Sequence, residues 1–264
     1  MAVFPSEIGP FAVLEPLGRG GLAQVWSVRD TSGDIYALKR LRSNRRGRKR
    51  FLREYEVLAN LDCVGVPKAH AFFENSEMNP FFIMECMDGR PAYRALRDAG
   101  APGSKKRMDL VEIVLAHMAR ILGELHAQSI VHRDVKSQNV LVDADGKTAL
   151  VDFGAVLVHA PSRPSRARVG TCAYSAPEML MGKSVDHRVD IYSLGVLLYR
   201  LVTGVNPFRG QTRVDTVSRH LVLPAPRPTE FLGSVPPRLC ELILAMVEKA
   251  PENRPQSCSE LGFA

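Results

Sequence analysis

The sequence predicts an α+β fold in which a small, strand-rich lobe is followed by a larger, mainly helical lobe. Residues 11–41 contain short apolar segments broken by Gly and Asp, a pattern typical of antiparallel strands joined by turns. Residues 110–125 instead carry apolar side chains at helical spacing. No internal repeat and no low-complexity linker separates these parts. We therefore expect one domain over residues 1–264, with lobes at 1–87 and 88–264.

The small lobe is predicted to contain three antiparallel strands and one main helix. Turns are expected near residues 18–21 and 31–34, where Gly and Asp interrupt the apolar segments. A helix is expected at about 47–60, because apolar residues recur there at helical spacing and leave Glu54 at the edge of the buried face. The segment FFIMEC at 81–86 predicts a buried strand that leads into the connection between the lobes.

The larger lobe is predicted to contain several helices and one hairpin. The apolar stripe within 110–125 indicates an amphipathic helix. DADG at 143–146 lacks the twelfth-position Glu of a calcium loop, so we interpret it as a turn between two short strands. Residues 189–204 form a largely apolar segment closed by Gly204, which predicts a buried helix. A last helix is expected at 236–249.

Composition and cysteine usage argue against several classes of protein. The chain is 45% hydrophobic and 24% charged, which is ordinary for a globular protein. It has no run of eighteen apolar residues, and its first residues lack the basic and apolar regions of a signal peptide. Its five scattered cysteines include no CxxC pair, which favours reduced thiols over zinc binding. We therefore expect a cytoplasmic protein without a membrane segment.

The net charge of +7 comes largely from two basic clusters, one within residues 40–50 and one within 163–168. A basic surface permits binding to nucleic acid or to an anionic surface. No aromatic side chains interleave with the first cluster to stack bases, so we interpret it as solvated loop charge. No nucleic-acid partner is expected.

Two short motifs carry the chemistry: VHRDVKSQN at 131–139 and VDFG at 151–154. Asp134 is a carboxylate that can take a hydroxyl proton, and Lys136 is a cation that can steady a moving phosphate. Asn139 and Asp152 offer amide and carboxylate oxygens, which suit magnesium better than zinc. An HRD tripeptide alone is weak evidence, but the ordered pair of motifs indicates phosphoryl transfer.

Two further motifs extend the pattern: LGRGGLAQVW at 17–26 and GTCAYSAPE at 170–178. With them, the chain from about residue 11 to about 258 resembles a eukaryotic-type (Hanks-type) serine/threonine protein kinase catalytic domain. Small-molecule kinases of the same two-lobed fold generally lack the APE segment. Lys136 and Thr171 match the serine/threonine pattern, and the compact loops resemble bacterial members more than animal ones.

The resemblance implies an ATP site with several groups of residues. The glycine-rich loop would contribute Leu17, Gly18, Gly20, Ala23 and Val25 to the nucleotide site, where Ala23 stands in place of the family's third glycine. Lys39 would contact the α- and β-phosphates and pair with Glu54. The adenine slot would be lined by Val25, Ala37 and Leu141, with Met84 as gatekeeper and the main chain of Glu85 and Met87 as the hinge.

The implied activity is ATP- and magnesium-dependent transfer of the γ-phosphate to serine or threonine hydroxyls of protein substrates, with Mn²⁺ as the alternative cation. ATP would bind between the lobes, and Asp134, Lys136, Lys39 and Glu54 would be catalytic. Two rival interpretations stay open: a pseudokinase that binds or scaffolds, and a small-molecule kinase. The first is disfavoured because Lys39 and the catalytic and metal-binding residues are all present, and the second because the APE segment is present.

Three structural or regulatory roles also follow from the resemblance. Glu178 is expected to pair with Arg254, and Asp190 to anchor the backbone of the catalytic loop. Regulation is expected through phosphorylation of Ser162 or Ser165, because basic residues crowd that segment and few carboxylates balance them.

Overall fold

The computed structural model describes residues 5–42, 47–74, 78–158, 172–233 and 235–262. The chain divides into two compact units. The N-terminal unit contains Met1–Asp62 and Val66–Asp88, and the C-terminal unit contains Cys63–Gly65 and Gly89–Ala264.

A six-stranded antiparallel sheet forms the N-terminal unit, in the order β1-β2-β3-β4-β6-β5. Its strands are β1 (Glu7–Ile8), β2 (Phe11–Arg19), β3 (Ala23–Arg29), β4 (Ile35–Leu41), β5 (Ala69–Phe73) and β6 (Phe81–Glu85). The three strands predicted within residues 11–41 are β2, β3 and β4. The first predicted turn begins later than expected, because β2 continues to Arg19 and keeps Gly18 in the sheet.

An apolar cluster on this sheet forms the core of the N-terminal unit. Its members come from five strands: Ile8, Phe11, Trp26, Val28, Leu38, Phe81 and Ile83. Phe73 stacks on Phe81 with ring centroids 4.7 Å apart, and Phe11 meets Phe81 edge to face. Burying one such aromatic side chain contributes about 1.5–3 kcal/mol, so this cluster is a main source of the sheet's stability.

Helix α1 (Arg48–Asn60) packs against β5 and β6. Phe51 and Tyr55 contact Phe72 and Phe82, and the closest ring centroids are 5.0 Å apart. The helix begins at Gly47, which has φ 94°, and a Cβ there would lie 2.2 Å from Leu22 Cδ1. Only glycine fits this start without strain, so the position and direction of α1 depend on it.

Helices dominate the C-terminal unit: α2 (Ala92–Ala99), α3 (Lys105–Ala127), α4 (Pro177–Leu180), α5 (Arg188–Thr203), α6 (Arg213–Val222) and α7 (Pro237–Met246). Helix α5 is buried on nearly all sides, as its apolar sequence predicts, and ends at Gly204 with φ 85°. A Cβ on Gly195 would lie 2.7 Å from Met246 Cβ, so α5 and α7 approach closely at a glycine. The predicted last helix is α7, which ends earlier than expected, at Met246.

Two small antiparallel sheets complete the C-terminal unit. Strands β7 (Arg90–Pro91), β9 (Val140–Val142) and β10 (Thr148–Leu150) form one, and β8 (Ile130–Val131) and β11 (Leu157–Val158) form the other. The predicted turn at 143–146 joins β9 to β10, where Asp143 Oδ1 accepts hydrogen bonds from the backbone of Asp145 and Lys147. Residues 132–139 lie between β8 and β9, so both ends of this loop are held by strands. Across the described ranges, no helix has the length and apolar character needed to cross a membrane.

Candidate active site

Lys39 and Glu54 form a buried ion pair in the N-terminal unit. Lys39 lies on β4, where it pairs with Val25 of β3 and Phe82 of β6. Its Nζ lies 2.5 Å from Oε1 of Glu54 on α1. The side chains are only 8% and 2% exposed, so the charges attract each other in a poorly solvated environment. The pair predicted from sequence is therefore present, with α1 and the sheet fixing its two members.

The glycine-rich loop joins β2 to β3, and β3 pairs with β4, the strand that carries Lys39. Gly18 pairs with Val25, and the Gly20 N–H donates to Ala23 O at 2.9 Å to close the turn. A Cβ at Gly18 or Gly21 would meet no described heavy atom within 4 Å, and neither residue has a positive φ. Packing within this unit therefore does not require glycine at these positions. Bare backbone here leaves room for a ligand to reach the main-chain N–H groups, which fits a phosphate.

Ala23 occupies the position of the family's third glycine, and its side chain is buried within the N-terminal unit. It is 5% exposed and pairs with Leu41. Neighbouring residues of the unit therefore cover the methyl group of Ala23. Leu17, also assigned to the nucleotide from sequence, is instead 49% exposed on β2.

The proposed adenine-binding residues of the N-terminal unit lie on adjacent strands. Ala37 on β4 pairs with Met84 on β6, and both are buried. The N–H of Glu85 donates to Lys68 O at 2.9 Å. Among the described residues, the Met87 N–H has no hydrogen-bond acceptor, so it is available to a ligand. Leu141 belongs to the C-terminal unit, where it pairs with Ala149 and Pro91 and is half-buried.

Asp134 is the centre of the catalytic loop in the C-terminal unit. Its Oδ2 accepts hydrogen bonds from Lys136 Nζ at 2.6 Å and from Asn139 Nδ2 at 3.1 Å. Its Oδ1 is buried, and no described residue donates to it. A buried carboxylate oxygen without a donor is costly, and the cost is relieved when a hydroxyl group donates to it. The geometry therefore suits a carboxylate that accepts a proton from an incoming hydroxyl.

Asn139 and Asp152 are brought together by backbone pairing. The N–H of Val151 donates to Asn139 O at 2.8 Å. Val151 directly precedes Asp152, so this bond holds Asp152 close to the catalytic loop. Asn139 Nδ2 also donates to Asp134 O at 2.9 Å, so the amide is held with its Oδ1 free of any described donor. No group of three or more His, Cys, Asp or Glu in the described residues is arranged to chelate a metal ion. An amide oxygen plus a carboxylate fits a hard cation that takes its other ligands from phosphates and water.

Asp190, at the start of α5, anchors the backbone before Asp134, as predicted. Its carboxylate accepts hydrogen bonds from the N–H groups of His132 at 2.8 Å and Arg133 at 2.7 Å. Burial alone raises the pKa of this carboxyl, but the hydrogen bonds from the His126 side chain and from the backbone N–H of His132 outweigh burial and lower it. Asp190 is therefore a buried anion that holds the loop.

Two residues at this site have strained backbones. Arg133 has φ 62° and Asp152 has φ 66°, although neither is glycine. Such conformations cost about 1–3 kcal/mol and persist only where surrounding contacts impose them. Arg133 is held by Asp190 and by a bond from its Nε to Ala155 O at 2.7 Å. The strain thus lies at the residue before Asp134 and at Asp152 itself.

The ring of Phe153 packs against His132 of the same loop. Phe153 is fully buried and meets His132 edge to face, with ring centroids 4.9 Å apart. Burial lowers the pKa of His132, so this histidine is a neutral packing residue and not a proton carrier.

Glu178 and Arg254 form the predicted buried pair. Two parallel bonds join them, at 2.7 Å and 2.9 Å. Arg254 also donates to the carbonyl oxygens of Glu248, Lys249 and Arg188. The pair ties the APE segment to the turn that follows α7, and its prediction is confirmed.

A model of the protein kinase domain matches residues 11–261. The chain belongs to the protein kinase domain family. It is 36% identical over 260 residues to the "DNA damage-responsive serine/threonine-protein kinase RqkA" of Deinococcus radiodurans, which covers 96% of this chain and 38% of that protein. It is 33% identical over 270 residues to the serine/threonine-protein kinase PknD of Mycobacterium tuberculosis, covering 98% and 40% of the two chains. It is also 31% identical over 253 residues to the Aurora kinase of Schizosaccharomyces pombe, covering 94% and 69%.

These matches confirm the predicted family and its two-lobed α+β kinase fold. Members of this family use ATP with a divalent metal ion and act on protein substrates. The chain spans about two fifths of the length of the two bacterial relatives named above.

Two residues that contact Asp190, directly or through a neighbour, were not predicted from the sequence, and three predicted residues lie outside the described residues. His126 bonds Asp190, with Nε2 and Oδ2 3.0 Å apart, but the residues are 64 positions apart and no local pattern links them. Cys258, which contacts His126, carries no sequence signal either. Thr171, Ser162 and Ser165 lie outside the described residues.

Proposed function

We propose that this chain is an active serine/threonine protein kinase domain, which transfers the γ-phosphoryl group of ATP to serine or threonine hydroxyls of protein substrates. The observation that carries the proposal is the arrangement of Asp134. One of its oxygens is held by Lys136 and Asn139, and the other is buried without a donor from the described residues. A protein that only binds partners would not need a buried carboxylate oxygen without a hydrogen-bond donor.

Asp134 would accept or orient the proton of the substrate hydroxyl as that oxygen attacks the γ-phosphorus. Lys136 already lies 2.6 Å from Asp134, so its ammonium group is close enough to stabilise charge on the transferred phosphoryl group. These groups act in a half-buried loop whose backbone is held by Asp190, and so they need little reorganisation during the reaction. Catalysis would therefore consist mainly of positioning and electrostatic stabilisation.

Asn139 and Asp152 would hold magnesium, with manganese as the alternative. When bound, the cation neutralises charge on the β- and γ-phosphates. In the N-terminal unit, Lys39, oriented by Glu54, would bind the α- and β-phosphates, and the absence of side chains at Gly18 and Gly20 would let phosphate oxygens come close to the loop.

Adenine would be recognised by apolar contacts and by main-chain hydrogen bonds. The apolar contacts would come from Leu17, Val25, Ala37, Met84 and Leu141. The unpaired N–H of Met87 would donate to the base, and the main chain of Glu85 would provide the second contact.

The remaining assignments are also proposals. The chain is taken as one catalytic domain over residues 1–264, with lobes at 1–87 and 88–264. A cytoplasmic location is supported by five cysteines that are all free thiols, since disulfides are rare in reducing compartments. Proteins, and not nucleic acids, are proposed as substrates.

The roles of the two carboxylates are tested by comparing Asp134→Asn with Asp152→Asn. Both variants should lose phosphate transfer to a protein substrate by at least about a hundredfold. Because only Asp152 is assigned to the metal, magnesium-dependent ATP affinity should fall in Asp152→Asn and survive in Asp134→Asn. Transfer is measured with radiolabelled ATP and affinity by calorimetry with and without magnesium.

Asp98→Asn is a matched control, because Asp98 is an exposed carboxylate that pairs with Arg90 on the surface. It should retain both activity and affinity. Equal losses of affinity in Asp134→Asn and Asp152→Asn would contradict the role assignment, and a wild-type protein that binds ATP but transfers no phosphate would identify a pseudokinase.

A further inference from the structure

Cys258 is a buried thiol that contacts His126, and His126 contacts Asp190, the residue that holds the backbone of the catalytic loop. It begins a short 3₁₀ turn, Cys258–Leu261, and is 6% exposed. Its Sγ lies 3.5 Å from Nδ1 of His126, near the C-terminal end of α3. The other ring nitrogen, Nε2, lies 3.0 Å from Oδ2 of Asp190. A continuous chain of polar contacts therefore runs from Cys258 to the carboxylate that holds the backbone of His132 and Arg133.

The directions of these hydrogen bonds follow from the groups involved. Asp190 is an anion and accepts, so His126 must carry a proton on Nε2. A single proton on Nε2 leaves Nδ1 as an acceptor, and the group next to Nδ1 then has to be a donor. Burial raises the pKa of the Cys258 thiol to about 12, with the charge of Asp190 adding to the effect. The thiol therefore stays protonated and donates S–H to Nδ1.

We propose that Cys258 is a positioning residue for phosphoryl transfer, which acts through His126 and Asp190 on the catalytic loop. This inference rests on the proposed kinase function. By donating to Nδ1, Cys258 selects the ring form whose Nε2–H is aimed at Asp190. The opposite tautomer would direct a lone pair at the carboxylate and weaken the anchor.

A weaker hydrogen bond between His126 and Asp190 would affect Asp134, because the backbone just before Asp134 is strained. Arg133 keeps φ 62° while its N–H is held by Asp190, and Asp134 follows directly in the chain. A looser Asp190 lets this peptide relax toward an ordinary conformation and displaces Asp134. Because the nucleotide-binding groups of the N-terminal unit are untouched, the loss should fall on kcat and not on KM for ATP.

The test compares three variants. Cys258→Ala removes the donor, and Cys258→Ser keeps a hydroxyl donor at the same position. Cys240→Ala is the matched control, because Cys240 is another buried thiol of the C-terminal unit, on α7, without a contact to His126. The tautomer of His126 is read from the nitrogen-15 NMR shifts of its ring, assigned by their loss in His126→Gln, and kcat and KM for ATP are measured with a protein substrate.

In the wild type and in Cys240→Ala we expect a protonated Nε2 and an unprotonated, hydrogen-bonded Nδ1. In Cys258→Ala the Nδ1 shift should move, and kcat should fall about threefold, the effect of losing one ordinary hydrogen bond, while KM for ATP is unchanged. Cys258→Ser should restore both readouts toward the wild-type values.

A wild-type His126 that carries a proton on Nδ1, alone or together with one on Nε2, would overturn the proposal. So would equal kcat values in Cys258→Ala and Cys240→Ala, since a role limited to packing affects both alike. A wild-type protein without transfer activity would defeat the kinase proposal instead, and the tautomer comparison would still decide whether Cys258 donates to His126.

Discussion

Arg254 is a fully buried cation, and among the described residues one carboxylate, that of Glu178, balances its charge. Glu178 supplies that charge through two bonds, and three backbone carbonyls and the face of Tyr192, 4.8 Å from the guanidinium, occupy its remaining surface. Breaking such a pair leaves an uncompensated charge in a poorly polar environment, which is more costly than never having buried it.

Glu178→Ala should therefore destabilise the C-terminal unit strongly. We expect a loss of about 3–5 kcal/mol, because Arg254 would stay buried without its partner. Urea unfolding followed by circular dichroism measures the change.

Asp109→Ala is the control for this measurement, since Asp109 forms an exposed pair with Lys105 on α3. Removing it should leave the unfolding midpoint unchanged. A midpoint that is also unchanged in Glu178→Ala would show that burial of the pair does not contribute to stability.

At the scale of secondary-structure elements, α5 is the centre of the C-terminal unit. Its first turn presents Asp190 to the catalytic loop, and its apolar residues contact α3 and α7. Tyr192 on the same helix bonds His220 of α6, with the hydroxyl 2.9 Å from Nδ1. The packing of α6 on α5 therefore includes a buried histidine.

This contact predicts a pH dependence of stability. Burial, with the charge of Lys249 adding, lowers the pKa of His220 from 6.5 to about 4. As pH falls from 6.5 to about 4, the unfolded chain takes up a proton that the folded chain does not. The free energy of unfolding should therefore fall over this range, by about 3 kcal/mol at its end.

His220→Gln should flatten the curve of stability against pH between 6.5 and about 4. Urea unfolding at several pH values measures it. His132, whose pKa burial also lowers, is present in both proteins and cancels from the difference. Curves of equal slope for the variant and the wild type would argue against a neutral His220 in the folded protein.

At the scale of the whole molecule, regulation by phosphorylation remains a prediction. Ser162 and Ser165 lie outside the described residues, among Arg163, Arg166 and Arg168. A phosphate would add about −1.5 to −2 charges and three strong acceptors to a segment with few carboxylates. Incubation with magnesium and ATP should therefore lead to phosphate at one of these serines, detected by mass spectrometry.

The Ser162→Ala/Ser165→Ala double variant should lose activity relative to the wild type. A fully active double variant together with an unmodified segment would eliminate this switch. The basic segment would then be interpreted as a loop that attracts acidic substrates.

Residue type and short spacing were enough to predict most of the candidate site. The resemblance to protein kinases predicted that Lys39 pairs with Glu54, fifteen residues further along the chain, and the structure places Nζ and Oε1 of the pair 2.5 Å apart. The start of the first turn was misplaced, and β1 was not predicted, because strand ends depend on pairing with neighbours and not on local pattern.

What the sequence by itself determined is the order of the elements, the kinase family and the residues with the chemistry for phosphoryl transfer, because these depend on residue type over short spans. Only the tertiary structure decided which distant residues support them. His126 is 132 residues from Cys258 and 64 from Asp190, and packing of α3, α5 and the last turn joins the three. The strained φ of Arg133 is likewise a product of packing, because Asp190 and Ala155, which lie outside the loop, hold this residue.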